Sequence, residues 1–186
     1  MPDIKSAKIL ILSTHGFEQS ELEVPLEKLK AAGATVHVAT LDGKAIKGWD
    51  KDNWGVSVDA DLKSDDVAYD DYDALVLPGG QINPDLLRVD KDAVALIRDF
   101  VQGNKIVAAI CHAPWLLIEA GVVKGRDATS YHSIKTDMVN AGANWIDQDV
   151  VVSNGIITSR HPGDLEAFVS KIIEEVEEGE HQRPAA

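Results

Sequence analysis

The chain has 186 residues, 45% of them hydrophobic and 26% charged, with a formal net charge of −13 at pH 7. That length suits one domain with a sizeable core, and the acidic balance argues against nucleic acid or an anionic membrane surface as a general partner. One cysteine excludes an internal disulfide framework and makes a reducing cytoplasm the expected compartment. No apolar run is long enough to span a membrane, and the start, Met1-Pro2-Asp3-Ile4-Lys5-Ser6, lacks the apolar stretch of a secretory signal.

In chain order, Ala7 to Leu12 reads as a first buried strand, followed by a loop, Ser13 to Phe17. A helix comes next, in which Leu22, Pro25, Leu26 and Leu29 recur at helical spacing and Gly33 marks the end. Pro25 is a misfit there and suggests a bend or a tolerated first-turn position. Ala34 to Thr40 is a second strand. Gly43 to Val58, with its alternating runs, predicts a small hairpin. Asp73 to Leu77 is a third buried strand, stopped by Pro78-Gly79-Gly80, and Ala93 to Val101 is helical up to Gly103. Lys105 to Ile110, the most apolar strand, runs directly into Cys111-His112-Ala113-Pro114 at the start of another helix. Ser133 to Ala141 gives a short helix. Val150 to Val152 and Ile156 to Thr158 form a hairpin around Asn154-Gly155, and a last helix covers Gly163 to Glu177. The whole chain, 1–186, reads as a single domain without repeat or linker, with a polar tail from about 179 to 186 that is expected to fray.

Strands alternating with helices imply a mainly parallel sheet with both faces covered. Ligands of such sheets bind at the carboxyl ends of the strands, near a topological switch point. Three elements converge there: His15-Gly16-Phe17-Glu18, Pro78-Gly79-Gly80 and Cys111-His112. A cysteine on a strand-to-helix turn points out of the sheet, and helix N-terminal N–H groups favour its thiolate. A buried structural thiol is the alternative. Glu18, if it reaches Cys111, would repel a thiolate when ionised and donate a hydrogen bond to it when protonated. Its other role is a favourable charge at a helix start. His112 could act as general base if a third group orients it, and Asp85 is the nearest such group by motif context; a surface histidine is the plainer alternative. Gly79 and Gly80 allow a ligand close to the backbone, and the N–H groups of Gly80 and His112 could hold an oxyanion. A plain turn is the alternative there. No phosphate-binding loop or dinucleotide fingerprint is present, and the six histidines lack metal-ligand spacing, so neither cofactor nor metal is expected.

Several segments together resemble the ThiJ/PfpI superfamily, in the branch named after intracellular protease I of thermophilic archaea. They are Asp73 to Gly80, Ala109 to Pro114, Asp137 to Trp145, Ser159 to Leu165 and Gly16-Phe17-Glu18. The resemblance implies a flavodoxin-like three-layer sandwich of the class I glutamine amidotransferase type. It implies Cys111 as nucleophile, Glu18 hydrogen-bonded to its sulfur, and His112 as base, oriented by an acid from a neighbouring subunit. Asp85 takes the place of that acid, in a segment one residue longer than the archaeal pattern. Tyr131 matches a site-lining tyrosine, and Trp115 stands where relatives often carry glutamine. A homo-oligomer, dimer or higher, follows from the shared site. Relatives are described as peptidases, glyoxalases or deglycases, chaperones and oxidation sensors. The expected function is a cytoplasmic stress-response hydrolase acting on methylglyoxal-type carbonyls or glycated adducts. The rivals are an intracellular cysteine peptidase and a non-catalytic redox sensor or chaperone.

Overall fold

A computed structural model describes residues 3–179; most of the expected tail, 180–186, lies outside the described residues. The strands are β1 (Lys8–Leu12), β2 (Thr35–Thr40), β3 (Ile46–Asp50), β4 (Asn53–Val58), β5 (Leu62–Lys63), β6 (Ala74–Leu77), β7 (Ile106–Ile110), β8 (Asp127–Ala128), β9 (Asn144–Trp145), β10 (Val151–Ser153) and β11 (Ile156–Ser159). The α-helices are α1 (Gln19–Ala32), α2 (Ile82–Leu87), α3 (Lys91–Gln102), α4 (Pro114–Glu119), α5 (Lys135–Asn140) and α6 (Leu165–Glu178). Seven strands form one sheet in the order β10-β11-β7-β6-β1-β2-β5. Every neighbouring pair is parallel except β10 and β11.

The sheet is buried on both faces, which is why β1, β6 and β7 read as unbroken apolar runs. Successive side chains still alternate between two separate cores. Leu10, Leu12, Leu75, Leu77, Val107 and Ala109 pack with Ile97 and Phe100 of α3, Leu116 and Leu117 of α4, and Met138 of α5. Ile9, Ile11, Ala74, Val76, Ala108 and Ile110 pack with Leu22 and Leu29 of α1 and Phe168 and Ile172 of α6. Each of the Val, Leu, Ile, Phe and Met side chains among these, fully withdrawn from water, contributes about 1.5–3 kcal/mol to folding. The result is a three-layer, flavodoxin-like α/β sandwich, as the sequence predicts.

Local signals place the helix ends. Asp90 caps α3 by accepting the N–H groups of Asp92 and Ala93. Gly33, at φ 107°, closes α1 in the left-handed conformation. Pro25 lies inside α1 and is buried, and the helix continues through it. The predicted hairpin is β3–β4, outside the main sheet. Elements the sequence reading did not show are β5, α2 and the two-residue pair β8–β9. Among the described residues no helix is long and apolar enough to cross a membrane.

Candidate active site

The chain leaves β1 toward β2 on one side and returns to β6 on the other, so β1 and β6 flank the switch point. The loops after β1, β6 and β7 meet there around a cavity of about 490 Å³, lined by Gly16, Glu18, Glu21, Gly80, Cys111, His112 and Tyr131 among others. Asn83, fully buried, ties two of these loops together. Its Oδ1 accepts the Thr14 N–H at 2.7 Å and its Nδ2 donates to the Pro78 carbonyl at 2.8 Å. No sequence signal marked it.

Cys111 follows β7 with φ 65°, a left-handed conformation that costs a non-glycine residue about 1–2 kcal/mol. Its neighbours hold it there: the Cys111 N–H donates to the Ser159 carbonyl at 3.0 Å, and its own carbonyl accepts the Tyr131 N–H at 2.8 Å. The turn presents the sulfur to the cavity floor, only 6% of the residue remaining exposed. The Gly80 and His112 N–H groups hydrogen-bond the sulfur and favour the thiolate. Burial and the neighbouring Glu21 carboxyl act the other way and raise the thiol's pKa overall. The expectation of a thiolate favoured by the helix start is therefore met by the amides and outweighed by desolvation.

The carboxyl beside the thiol belongs to Glu21, and this corrects the expectation for Glu18. Glu21 is fully buried in the first turn of α1. Its Oε2 accepts the Gly79 N–H at 2.9 Å, and its Oε1 has no hydrogen-bond partner among the described residues. Burial, then the charge of Glu18, push its pKa up to about 8, so the carboxyl holds its proton at neutral pH. A protonated Glu21 can donate to the sulfur and stabilise a thiolate, and it cannot repel one. Glu18 instead stands one turn earlier, as the residue preceding α1. It lines the cavity, and its Oε1 accepts a hydrogen bond from the Ser20 hydroxyl at 3.3 Å. Partial burial raises its pKa as well.

Gly79 also differs from expectation. Its N–H is taken by Glu21, and its carbonyl accepts from the Glu18 N–H and Asn83 Nδ2, so its backbone does not face a ligand. What requires glycine there is packing: a Cβ would lie 2.4 Å from Glu21 Oε2 and 2.6 Å from the Cys111 Cβ. Gly80 does line the cavity, at φ 78°.

His112 is buried, with Nδ1 3.2 Å from the Cys111 sulfur. Its ring stacks on Tyr131 at 4.7 Å and 25°, and meets the edge of Trp115 at 5.1 Å and 62°. Burial, then His132, lower its pKa to about 4, so the imidazole is neutral. Its Nε2 lies 3.2 Å from the Ser133 hydroxyl. Asp85 is exposed on α2 and makes no hydrogen bond to His112 within its own chain, and the resemblance assigns that acid to a neighbouring subunit. Trp115 stands behind His112, outside the cavity lining, and its Nε1–H donates to Asp137 at 2.8 Å. Among the described residues no group of three or more His, Cys, Asp or Glu side chains is placed to hold a metal.

A strained turn after a parallel strand, carrying a side chain with attacking potential beside a histidine, defines a class of α/β enzymes in which the nucleophile stands at the sheet's carboxyl edge. Sequence comparison narrows the class: the profile of the DJ-1/PfpI family matches residues 7–175, and the chain belongs to that family. It is 46% identical to Deglycase TK1284 of Thermococcus kodakarensis over 166 residues, 89% of this chain and 97% of that protein. It is 44% identical to General stress protein 18 of Bacillus subtilis over 163 residues, 87% of this chain and 92% of that one. Drosophila melanogaster DJ-1beta superposes with a TM-score of 0.83 at 34% identity, covering 93% of this chain and 95% of that one. Relatives named as deglycases at this similarity mark the chain as an enzyme of hydrolase type.

Proposed function

We propose that the protein is a cysteine-dependent glyoxalase or deglycase, acting on methylglyoxal-type carbonyls or on the adducts these form with amines. The observation that carries this reading is the Cys111 sulfur at 3.2 Å from His112 Nδ1, on the floor of a cavity sized for a small molecule. Neutral His112 accepts the thiol proton, and the sulfur attacks the aldehyde carbon to give a hemithioacetal. As the sulfur gives its electron pair to carbon, the Gly80 and His112 N–H groups that hydrogen-bond it turn to the oxygen on which charge develops. Transfer of a proton from the hemithioacetal carbon to the adjacent carbonyl carbon, through an enediol, yields a lactoyl thioester. Water then releases lactate and returns the thiol. With an amine adduct as substrate, the sulfur displaces the amine from the carbinol carbon and reaches the same hemithioacetal. Glu21 serves this sequence as a neutral hydrogen-bond donor to the sulfur, and Tyr131 as a wall that fixes the His112 ring.

The physiological setting we assign is stress protection in the cytoplasm, by an oligomer of at least two chains. A relative named for general stress supports the first. Light scattering at micromolar concentration checks the second and should report a mass above one 20.1 kDa chain. The function is tested by turnover of methylglyoxal without added thiol, and of a glycated amine, by wild type and Cys111→Ser. Wild type should turn over both and Cys111→Ser neither. Hydrolysis of unfolded casein without either activity would replace this reading with the peptidase.

A further inference from the structure

We infer that Trp49 is a specificity-determining residue of the cavity: its indole is the wall that receives the non-reacting group of the substrate, so that α-oxoaldehydes carrying an aromatic group are preferred to methylglyoxal. The inference deepens the proposed function and rests on it. It also gives a part to the β3–β4 hairpin, which has no place in the main sheet.

The hairpin holds this side chain in place. The Trp49 N–H donates to the Phe17 carbonyl at 2.7 Å and the Gly16 N–H to the Lys47 carbonyl at 2.8 Å, so β3 is tied to the loop that carries Glu18. On the other strand, the Val56 N–H donates to Gln19 Oε1 at 2.9 Å. The pairing of β3 with β4 shifts register after Lys47, which faces Ser57, so that Trp49 faces Trp54. An unbroken ladder would put Gly55 there; the extra residue on β4 brings a second indole opposite instead. The two rings meet edge to face, with centroids 5.5 Å apart at 80°. The Trp49 Nε1–H donates to the Lys51 carbonyl at 2.9 Å, so it is satisfied within the hairpin. What the indole offers the cavity is therefore apolar ring surface and not a hydrogen-bond donor.

The size and chemistry of the cavity say what the indole meets. At about 490 Å³ the cavity falls in the range that takes drug-sized ligands, far more than a three-carbon aldehyde fills. Cys111, Glu21, Gly80 and His112 face the reacting carbons and their oxygens in the proposed sequence, and Tyr131 is stacked on His112. Of the other lining residues, Trp49 and Ile82 carry the largest apolar side chains. Ile82 is packed onto Gly16, where a Cβ would lie 2.3 Å from its own Cβ. Once the sulfur holds the aldehyde carbon, the group on the adjacent carbonyl carbon extends away from the floor, into the space these walls enclose. A methyl covers little of either wall, whereas a phenyl ring can pack on the indole and on the isoleucine. The two remaining charged groups of the lining, Glu18 and Lys51, are opposite in sign and favour neither an anionic nor a cationic substituent.

The test compares phenylglyoxal with methylglyoxal by initial rates in wild type, Trp49→Ala, Trp49→Phe and Trp54→Ala. The intrinsic reactivities of the two aldehydes cancel when the ratio of their kcat/KM values is compared between proteins. Wild type should have the lower KM for phenylglyoxal; a higher one overturns the inference. Trp49→Ala should lose about tenfold in kcat/KM on phenylglyoxal, through KM, and less than about twofold on methylglyoxal. Trp49→Phe, which keeps an aromatic wall, should retain most of the ratio. Trp54→Ala, which loosens the indole without removing it, should lower the ratio by a smaller factor than Trp49→Ala. An equal loss on both aldehydes in Trp49→Ala means that the indole only supports the fold, and an unchanged ratio means that the aromatic group lies elsewhere; each overturns the inference. If wild type turns over neither aldehyde, the proposed function falls. The concentrations of the two aldehydes that half-protect Cys111 from iodoacetamide then decide the role of the indole, and a ratio equal in wild type and Trp49→Ala overturns it.

Discussion

Glu21→Gln should stabilise the protein, and by an amount that grows with pH. Glutamine is nearly isosteric with the protonated carboxyl, and it can accept the Gly79 N–H while its amide donates toward the sulfur. In the wild type the carboxyl's pKa is about 8 in the fold against an ordinary 4.5. Between those values the unfolded chain has released the proton and the folded chain has kept it, so stability falls as pH rises. The slope is about 1.4 kcal/mol per pH unit, which from pH 4.5 to pH 7 amounts to about 3 kcal/mol. Glutamine does not titrate and escapes this loss. His112 titrates in part of the same range, but identically in both proteins, so it cancels from the difference. The assay is urea denaturation of wild type and Glu21→Gln at half-unit steps from pH 5 to 7. The variant's advantage should widen across the series and correspond near pH 7 to about 6–12 °C in Tm. Parallel stability curves would refute the reasoning, because Glu21 would then be ionised in the fold.

His112, neutral down to about pH 4, should place the acid limb of kcat/KM well below the usual histidine value of 6.5, as read from initial rates between pH 4 and 8. The sign for stability follows: its contribution is complete above pH 6.5 and is lost as pH falls toward 4, which urea midpoints will show. Gly79→Ala should cost about 1–3 kcal/mol and most of the activity, because the added methyl drives into Glu21 and the Cys111 Cβ; denaturation and turnover together check it. At position 111, glycine should be more stable than alanine by about 1 kcal/mol, reversing their order in a helix interior, because only glycine meets φ 65° without strain. Equal urea midpoints for Cys111→Gly and Cys111→Ala would show that the turn is unstrained.

The parts of the molecule that announce themselves in sequence are those set by periodicity. β1, β6 and β7 are buried on both faces and appear as apolar runs, so the cysteine turn at the end of β7 is legible in the sequence. The sequence points to a carboxyl one turn too early for a physical reason. Glu18 directly follows the strand loop, and Glu21 looks like one more charge at a helix start. A signal was present: Glu21, Leu22, Pro25 and Leu29 form one stripe at helical spacing, so Glu21 occupies a core position. A carboxyl on an apolar stripe is the residue to suspect. Asn83 carries no comparable sign, since it acts through hydrogen bonds made between segments distant in the chain. β5 and β8–β9 are two-residue pairings, too short for alternation to register.

The brevity of the outer strands has a consequence for behaviour at high concentration. A sheet whose border offers a long row of unpaired amides is a template for runaway strand addition. Here one border is β5, two residues between Asp61 and Asp65, and the other is β10, three residues whose Ser153 carbonyl already receives the Arg126 guanidinium at 3.4 Å. An incoming chain would gain only a few ladder bonds at either side and would meet carboxylates at β5. The apolar strands that end at the candidate site are thus shielded from fibril-like growth by two short border strands, of two and three residues.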